Sequence, residues 1–240
     1  MKQISITENE SGQSNLLYVQ SALSEFCSYA GCRVNTQSES GRCRLTITCS
    51  ECYGDIVKTE ILDKVAEIIA VKYKYDYFKR EVKVGGLNSV EKEILLTSLI
   101  AADLDDDKKY SFDRLICYDD IAVDGVFNFR LKPLKKKWKD VSECVPPCFL
   151  SSQLKEFITY LLENKRKRVY IENGRVYDAH YRRLKRSALL GGKEAEILKE
   201  VLLSCCGEVE LIGEISRDDE FYLKEYFNRK IIFNTAAKKS

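Results

Sequence analysis

The sequence predicts an α/β protein: an α+β N-terminal unit of ferredoxin-like type, then a helical segment, then a small α/β C-terminal unit. Three observations carry that expectation. Residues Arg42 to Cys49 alternate with period two, Val57 to Ile69 recur at helical spacing, and Asn173-Gly174 joins two alternating segments. A chain of 240 residues suits one large domain or two small ones, and 45% hydrophobic residues suffice for packed cores. The expected divisions are 1–86 for the α+β unit, 87–147 for the helical and linking segment, and 148–240 for the small α/β unit.

Ile4 and Ile6 alternate with polar neighbours and start a strand, after which Leu16, Val19, Leu23, Phe26 and Cys27 lie along one helical face. Between Arg42 and Cys49, Cys43, Leu45, Ile47 and Cys49 share one side of a half-buried strand, with Arg44, Thr46 and Thr48 on the other. A long helix follows from about Ile56 toward Tyr73. Strand, helix, strand, strand, helix is the order of a small sheet with helices on one face. Gly85-Gly86 interrupts the pattern. Asn88 with Glu91 three residues later marks a capped helix start. The acidic run Asp103-Leu104-Asp105-Asp106-Asp107 fails as an EF-hand, because the turn position holds Lys108 instead of Gly and the last ligand position holds Arg114. A solvated turn is expected there instead.

The lysines from Lys132 to Lys139 surround Trp138, and Pro146-Pro147 favours an extended connection into the last unit. Leu154, Phe157, Ile158, Leu161 and Leu162 form a helical stripe. Asn173-Gly174 then predicts a hairpin, because a type I′ turn needs positive φ at both central positions. Downstream, a helix through Ala195 to Cys205, a strand at Glu208 to Gly213, a helix at Asp218 to Phe227 and a strand at Lys230 to Asn234 favour parallel pairing. Lys238, Lys239 and Ser240 are expected to fray.

The balanced charge, +2 net with 32% charged residues, names no partner. Met1 to Glu10 lacks the pattern of a signal peptide, and no apolar run approaches the ~18 residues of a membrane span. The expectation is a cytoplasmic chain without membrane insertion, its ten cysteines reduced. Cys49-x-x-Cys52 has zinc or thiol-redox spacing, and Cys144 with Cys148 could complete a four-thiolate zinc set. Buried, inert thiols are the competing reading, and no cofactor is expected. The single histidine, His180, is expected on an exposed aromatic-basic strand. Gly191-Gly192-Lys193 lacks the first glycine and the following Ser or Thr of a phosphate loop. No catalytic residue is assigned.

The remaining signal is electrostatic. Arg166, Arg168, Arg175, Arg182, Arg183 and Arg186 gather within a short interval with Tyr170 and Tyr177. Cations neutralise phosphates and aromatic rings stack on bases, so this segment could bind RNA or single-stranded DNA. A solvated or protein-facing surface is the preferred reading of the same residues, because charge runs alone are common.

The helix after Gly86, the segment Val123-Asp124-Gly125 to Arg130-Leu131-Lys132, the Leu154 to Leu162 helix, the hairpin and the ending Tyr226-Phe227 to Ile231-Ile232-Phe233 resemble the YtxC-like family of sporulation proteins. The resemblance covers roughly Asn88 to Asn234. It departs from the family at the hairpin entry, where Arg166, Lys167 and Arg168 are unusually basic. It implies a cytoplasmic protein of an endospore-forming bacterium and supplies no catalytic residues. The combined expectation is a non-enzymatic binding or adaptor protein with a protein partner. Nucleic-acid binding through residues 165–186 and a thiol or zinc protein using Cys49 and Cys52 are the alternatives.

Overall fold

A computed structural model of the protein describes residues 1–192, 194–227 and 231–234. Lys193, Lys230 and the expected frayed tail lie outside the described residues. Residue contacts divide the chain into two compact units, each discontinuous in sequence. Unit 1 comprises 1–74 and 105–140, and unit 2 comprises 75–104 and 141–240. This division cuts across the three consecutive segments expected from the sequence. One physical reason lies in unit 2, where the two stretches expected to act as boundaries bond to each other. The Gly85 amide donates to the Pro147 carbonyl at 2.9 Å, and the Phe149 amide donates to the Gly85 carbonyl at 3.0 Å. Gly86, at φ +85°, stands so close to this segment that a Cβ would lie 2.6 Å from the Phe149 oxygen.

Unit 1 is built on a four-stranded sheet of order β2-β3-β1-β4, from β1 (Lys2–Asn9), β2 (Arg33–Glu39), β3 (Arg42–Cys49) and β4 (Asp120–Ala122). The period-two pattern of β3 is realised, with Cys43, Leu45, Ile47 and Cys49 buried. Ile4 and Ile6 join them on the face covered by α1 (Gln13–Tyr29) and α2 (Gly54–Glu67). The strand order is the one a ferredoxin-like unit requires. In a double split βαβ unit the last strand runs parallel to β3 and so antiparallel to β1; here β4 runs parallel to β1. The chain reaches β4 through α5 (Leu104–Leu115) after leaving the unit for residues 75–104, not directly from α2.

The long helix is present with one irregularity. Ile68–Tyr73 forms a π-helical stretch between α2 and α3 (Lys74–Glu81), a wider turn that changes the angular position of everything after it. Tyr73 then donates to the buried Glu8 at 2.9 Å, and Lys74 reaches Asp107 at 2.7 Å. The acidic run is therefore not a solvated turn. Asp105 to Asp107 occupy the first turn of α5, where carboxylates suit the helix dipole, and Asp107 is buried. Its carboxylate also accepts from Lys137 at 2.7 Å and from Trp138 Nε1 at 2.8 Å, both on α7 (Lys132–Glu143).

Unit 2 holds a second four-stranded sheet of order β6-β5-β7-β8, from β5 (Arg168–Glu172), β6 (Arg175–Tyr177), β7 (Glu208–Ile212) and β8 (Ile231–Asn234). The hairpin forms as expected, with Asn173 at φ 50° and Gly174 at 69°. β7 is parallel to both β5 and β8, as expected for strands joined through helices. Val169, Ile171, Val176, Val209 and Leu211 point to one side. There they meet α4 (Ser89–Ala101), α8 (Ser151–Leu162), α9 (Glu196–Leu203) and α10 (Arg217–Phe227) in one apolar core. The Asn88–Glu91 capping box opens α4 with both reciprocal hydrogen bonds at 2.9 Å. Cys205 and Cys206, at the end of α9, are both buried.

Candidate functional site

Strand alternation turns a second face of the unit 2 sheet away from the apolar core. It carries Arg168, Tyr170 and Glu172 from β5, Arg175 and Tyr177 from β6, and Glu208, Glu210 and Ile212 from β7. Tyr170 and Tyr177 are cross-strand partners, and the ring of Tyr181 lies 5.2 Å from Tyr177 and 5.5 Å from Tyr170. Three tyrosines thus form one aromatic platform on this face, with Tyr181 exposed and Tyr170 and Tyr177 half-buried beneath it.

The loop that delivers Tyr181 is built by Asp178. Its carboxylate accepts from the amides of His180 at 2.8 Å and Arg182 at 2.9 Å, the local geometry that Asp side chains favour in turns. The Asp178 amide donates to the Arg182 carbonyl, and Leu184 returns to bond the Val176 carbonyl at 2.8 Å. Tyr181 sits at φ 62°, a left-handed conformation that a tyrosine adopts at a cost of about 1–2 kcal/mol. His180 is exposed in this turn and not on a strand, because the chain is pinned by Asp178 before strand pairing can extend.

The eight residues singled out by charge and aromaticity do not form one uniform basic surface. Arg168 is already engaged by Glu208 at 2.6 Å and by Glu210 at 3.4 Å. Arg186 turns inward and donates to the Leu203 carbonyl at the end of α9, 3.2 Å away, so it caps a helix. Arg166, Arg175, Arg182 and Arg183 are exposed and belong to the rim. Glu172, Glu208 and Glu210 place three carboxylates among the tyrosines, which the linear sequence did not reveal.

The cysteines divide between different environments. Cys49 is buried on β3, its thiol 3.8 Å from the Lys2 carbonyl, and burial pushes its pKa upward. That favours the thiol over the thiolate needed for redox exchange or zinc ligation. Cys52 is exposed beside Ser50, and Cys144 and Cys148 are exposed in unit 2. Among the described residues no three His, Cys, Asp or Glu side chains are gathered to hold a metal ion, and all ten cysteines are free thiols. No helix of the described residues is long and apolar enough to cross a membrane.

Sequence reasoning missed a concave site in unit 1. A cleft of about 500 Å³ is lined by Thr7, Gln37, Arg42, Arg44, Asp124 and Phe129, among others. Asp124, on α6 (Val123–Arg130), binds Arg42 through both oxygens at 2.8 and 3.2 Å, which holds its carboxyl below the usual range. The signal was present as a distinctive Asp124-Gly125 segment, but its partner lies 82 residues away on β3. Asp124 thus neutralises Arg42, while Arg44, 3.6 Å from Asp120, and Glu39 also line the cleft. Compared with protein-family models, with curated proteins and with solved structures, the chain finds no match.

Proposed function

We propose that the protein acts by binding and not by catalysis, and that the tyrosine face of unit 2 receives a partner protein with acidic side chains. The observation that carries this reading is the platform of Tyr170, Tyr177 and Tyr181, with Tyr181 held in a left-handed conformation where its ring completes the stack. Backbone strain that buys no core packing points to a role for the exposed ring. Tyrosine and arginine are the residues that protein interfaces use as anchors, because they offer large rigid contact area with a polar tip. The rim arginines Arg166, Arg175, Arg182 and Arg183 complement carboxylates on the partner.

Arg168 is shared between Glu208 and Glu210, so with Glu172 the centre of the face keeps an excess of carboxylate; this disfavours a continuous polyanion across the sheet and leaves the rim arginines to meet localised carboxylates of a partner protein. The sporulation setting and the cytoplasmic location rest on the resemblance to the YtxC-like family. The test is co-purification of tagged protein from sporulating cells, with and without nuclease, for the wild type and for Tyr181→Ala. A defined protein that survives nuclease and is lost from the variant supports the reading. Recovery that Tyr181→Ala leaves unchanged, or that nuclease abolishes, contradicts it.

A further inference from the structure

β2 is the outer strand of the unit 1 sheet, and every one of its residues, Arg33 to Glu39, is exposed. Among the described residues no strand pairs with its outer edge. Natural sheets protect such an edge with proline, charged side chains (lysine above all), a bulge or a covering element. β2 contains neither proline nor lysine, its charges are confined to Arg33 and Glu39 at its two ends, and it pairs with β3 residue for residue from Arg33↔Thr48 to Glu39↔Arg42 without a bulge.

The register says which groups face outward. Ser40 and Gly41, at φ 52° and 77°, form a two-residue type I′ turn, whose flanking pair Glu39 and Arg42 exchanges hydrogen bonds. Counting back along the strand, Gln37, Asn35 and Arg33 bond inward to β3. The amides and carbonyls of Val34, Thr36 and Ser38 therefore point away from the sheet.

The strand is self-complementary about Thr36. In an antiparallel pair with its own copy, Thr36 faces Thr36, Val34 faces Ser38, Asn35 faces Gln37, and Arg33 faces Glu39 at both ends. Thr36 and the Val34–Ser38 pairs are then the hydrogen-bonded ones, so every outward amide and carbonyl among them finds a partner. Arg33 and Glu39 fall in the closer, non-hydrogen-bonded class on the open face of the sheet. Neither residue has an ion-pair partner among the described residues, and the Arg42 opposite Glu39 is held by Asp124. Parallel in-register pairing would instead oppose like charges at both ends.

We propose that β2 pairs antiparallel with β2 of a second copy, joining two unit 1 sheets across a two-fold axis. The test is sedimentation equilibrium of the full chain, with circular dichroism to confirm folding. The wild type sediments as a dimer. Arg33→Glu and Glu39→Arg each oppose like charges at both ends and raise the dissociation constant about tenfold or more. Mixing the two variants restores a dimer, because the mixed pair has opposite charges at both ends. Thr36→Pro removes an outward amide while leaving the bonds to β3 intact, and yields a folded monomer. A wild type that stays monomeric at its highest soluble concentration overturns the proposal. So does a dimer that Thr36→Pro leaves intact, or one indifferent to the charge reversals.

Discussion

Replacing Asp107 by alanine removes one carboxylate from three donors at once. Lys74 Nζ, Lys137 Nζ and Trp138 Nε1 all lie within 2.7–2.8 Å of its oxygens. Lys74 and Trp138 are fully buried, so water cannot take over the role of the carboxylate without opening the core. Removing one member of a buried ion pair costs about 3–5 kcal/mol, most of it the penalty for the charge left behind. Against a total stability of about 5–15 kcal/mol, that is a large fraction. The assay is urea denaturation followed by circular dichroism, comparing Asp107→Ala with Lys74→Met and with the double variant. Lys74→Met removes the buried cation and leaves Asp107 its bonds to Lys137 and Trp138, so its cost is smaller. The double variant is expected to be more stable than Asp107→Ala, since the buried cation has gone with its partner. A cost below about 1 kcal/mol for Asp107→Ala would refute the reasoning, because it would mean that Asp107 is not what stabilises the buried Lys74 cation.

Other consequences follow from single positions. Gly207 carries its amide to the Lys167 carbonyl at 2.7 Å, and a Cβ there would overlap the Lys165 carbonyl, 2.6 Å from its carbon. Gly207→Ala is therefore expected to cost about 1–3 kcal/mol in urea denaturation, and a neutral result would show that the entry to β7 can shift freely. Glu200 is fully buried. Its Oε2 accepts from the Ser187 amide at 2.6 Å, while Oε1 has no hydrogen-bond partner among the described residues. Burial raises its pKa, so the folded protein holds this proton more tightly than the unfolded chain does. The wild type accordingly loses stability as pH rises through the folded value, whereas glutamine does not titrate. Glu200→Gln is expected to be more stable than the wild type at pH 7, with the gap closing toward pH 4.5; a gap that is constant or grows on acidification contradicts this.

Local signals were legible where chain geometry alone decides the outcome. The alternation in β3, the Asn173-Gly174 turn and the Asn88–Glu91 capping box need only their own neighbours, and each formed as expected. β4 was not legible, since Asp120–Ala122 is too short to display a period and is held by its pairing to β1. Asp107 was misread because the distinction between a solvated and a buried carboxylate depends on Lys74, Lys137 and Trp138 converging from elsewhere in the chain. The π-helical stretch that aims Lys74 leaves no mark in the apolar spacing. The basic segment was found, but the carboxylates of β7 that share its face come from a strand about 40 residues later, and the inward turn of Arg186 depends on the end of α9. Tyr181 is the clearest case. Its left-handed backbone comes from the Asp178 loop, and nothing about a tyrosine announces it.

The most direct test of the binding account is the affinity of the co-purified partner for the variant with Tyr170, Tyr177 and Tyr181 all replaced by alanine, its fold verified by circular dichroism. An interface anchor of about 2 kcal/mol corresponds to roughly thirtyfold in dissociation constant, so a loss at least that large is predicted. An affinity within about threefold of the wild type, in a folded variant, would contradict the assignment of the tyrosine face as the binding surface.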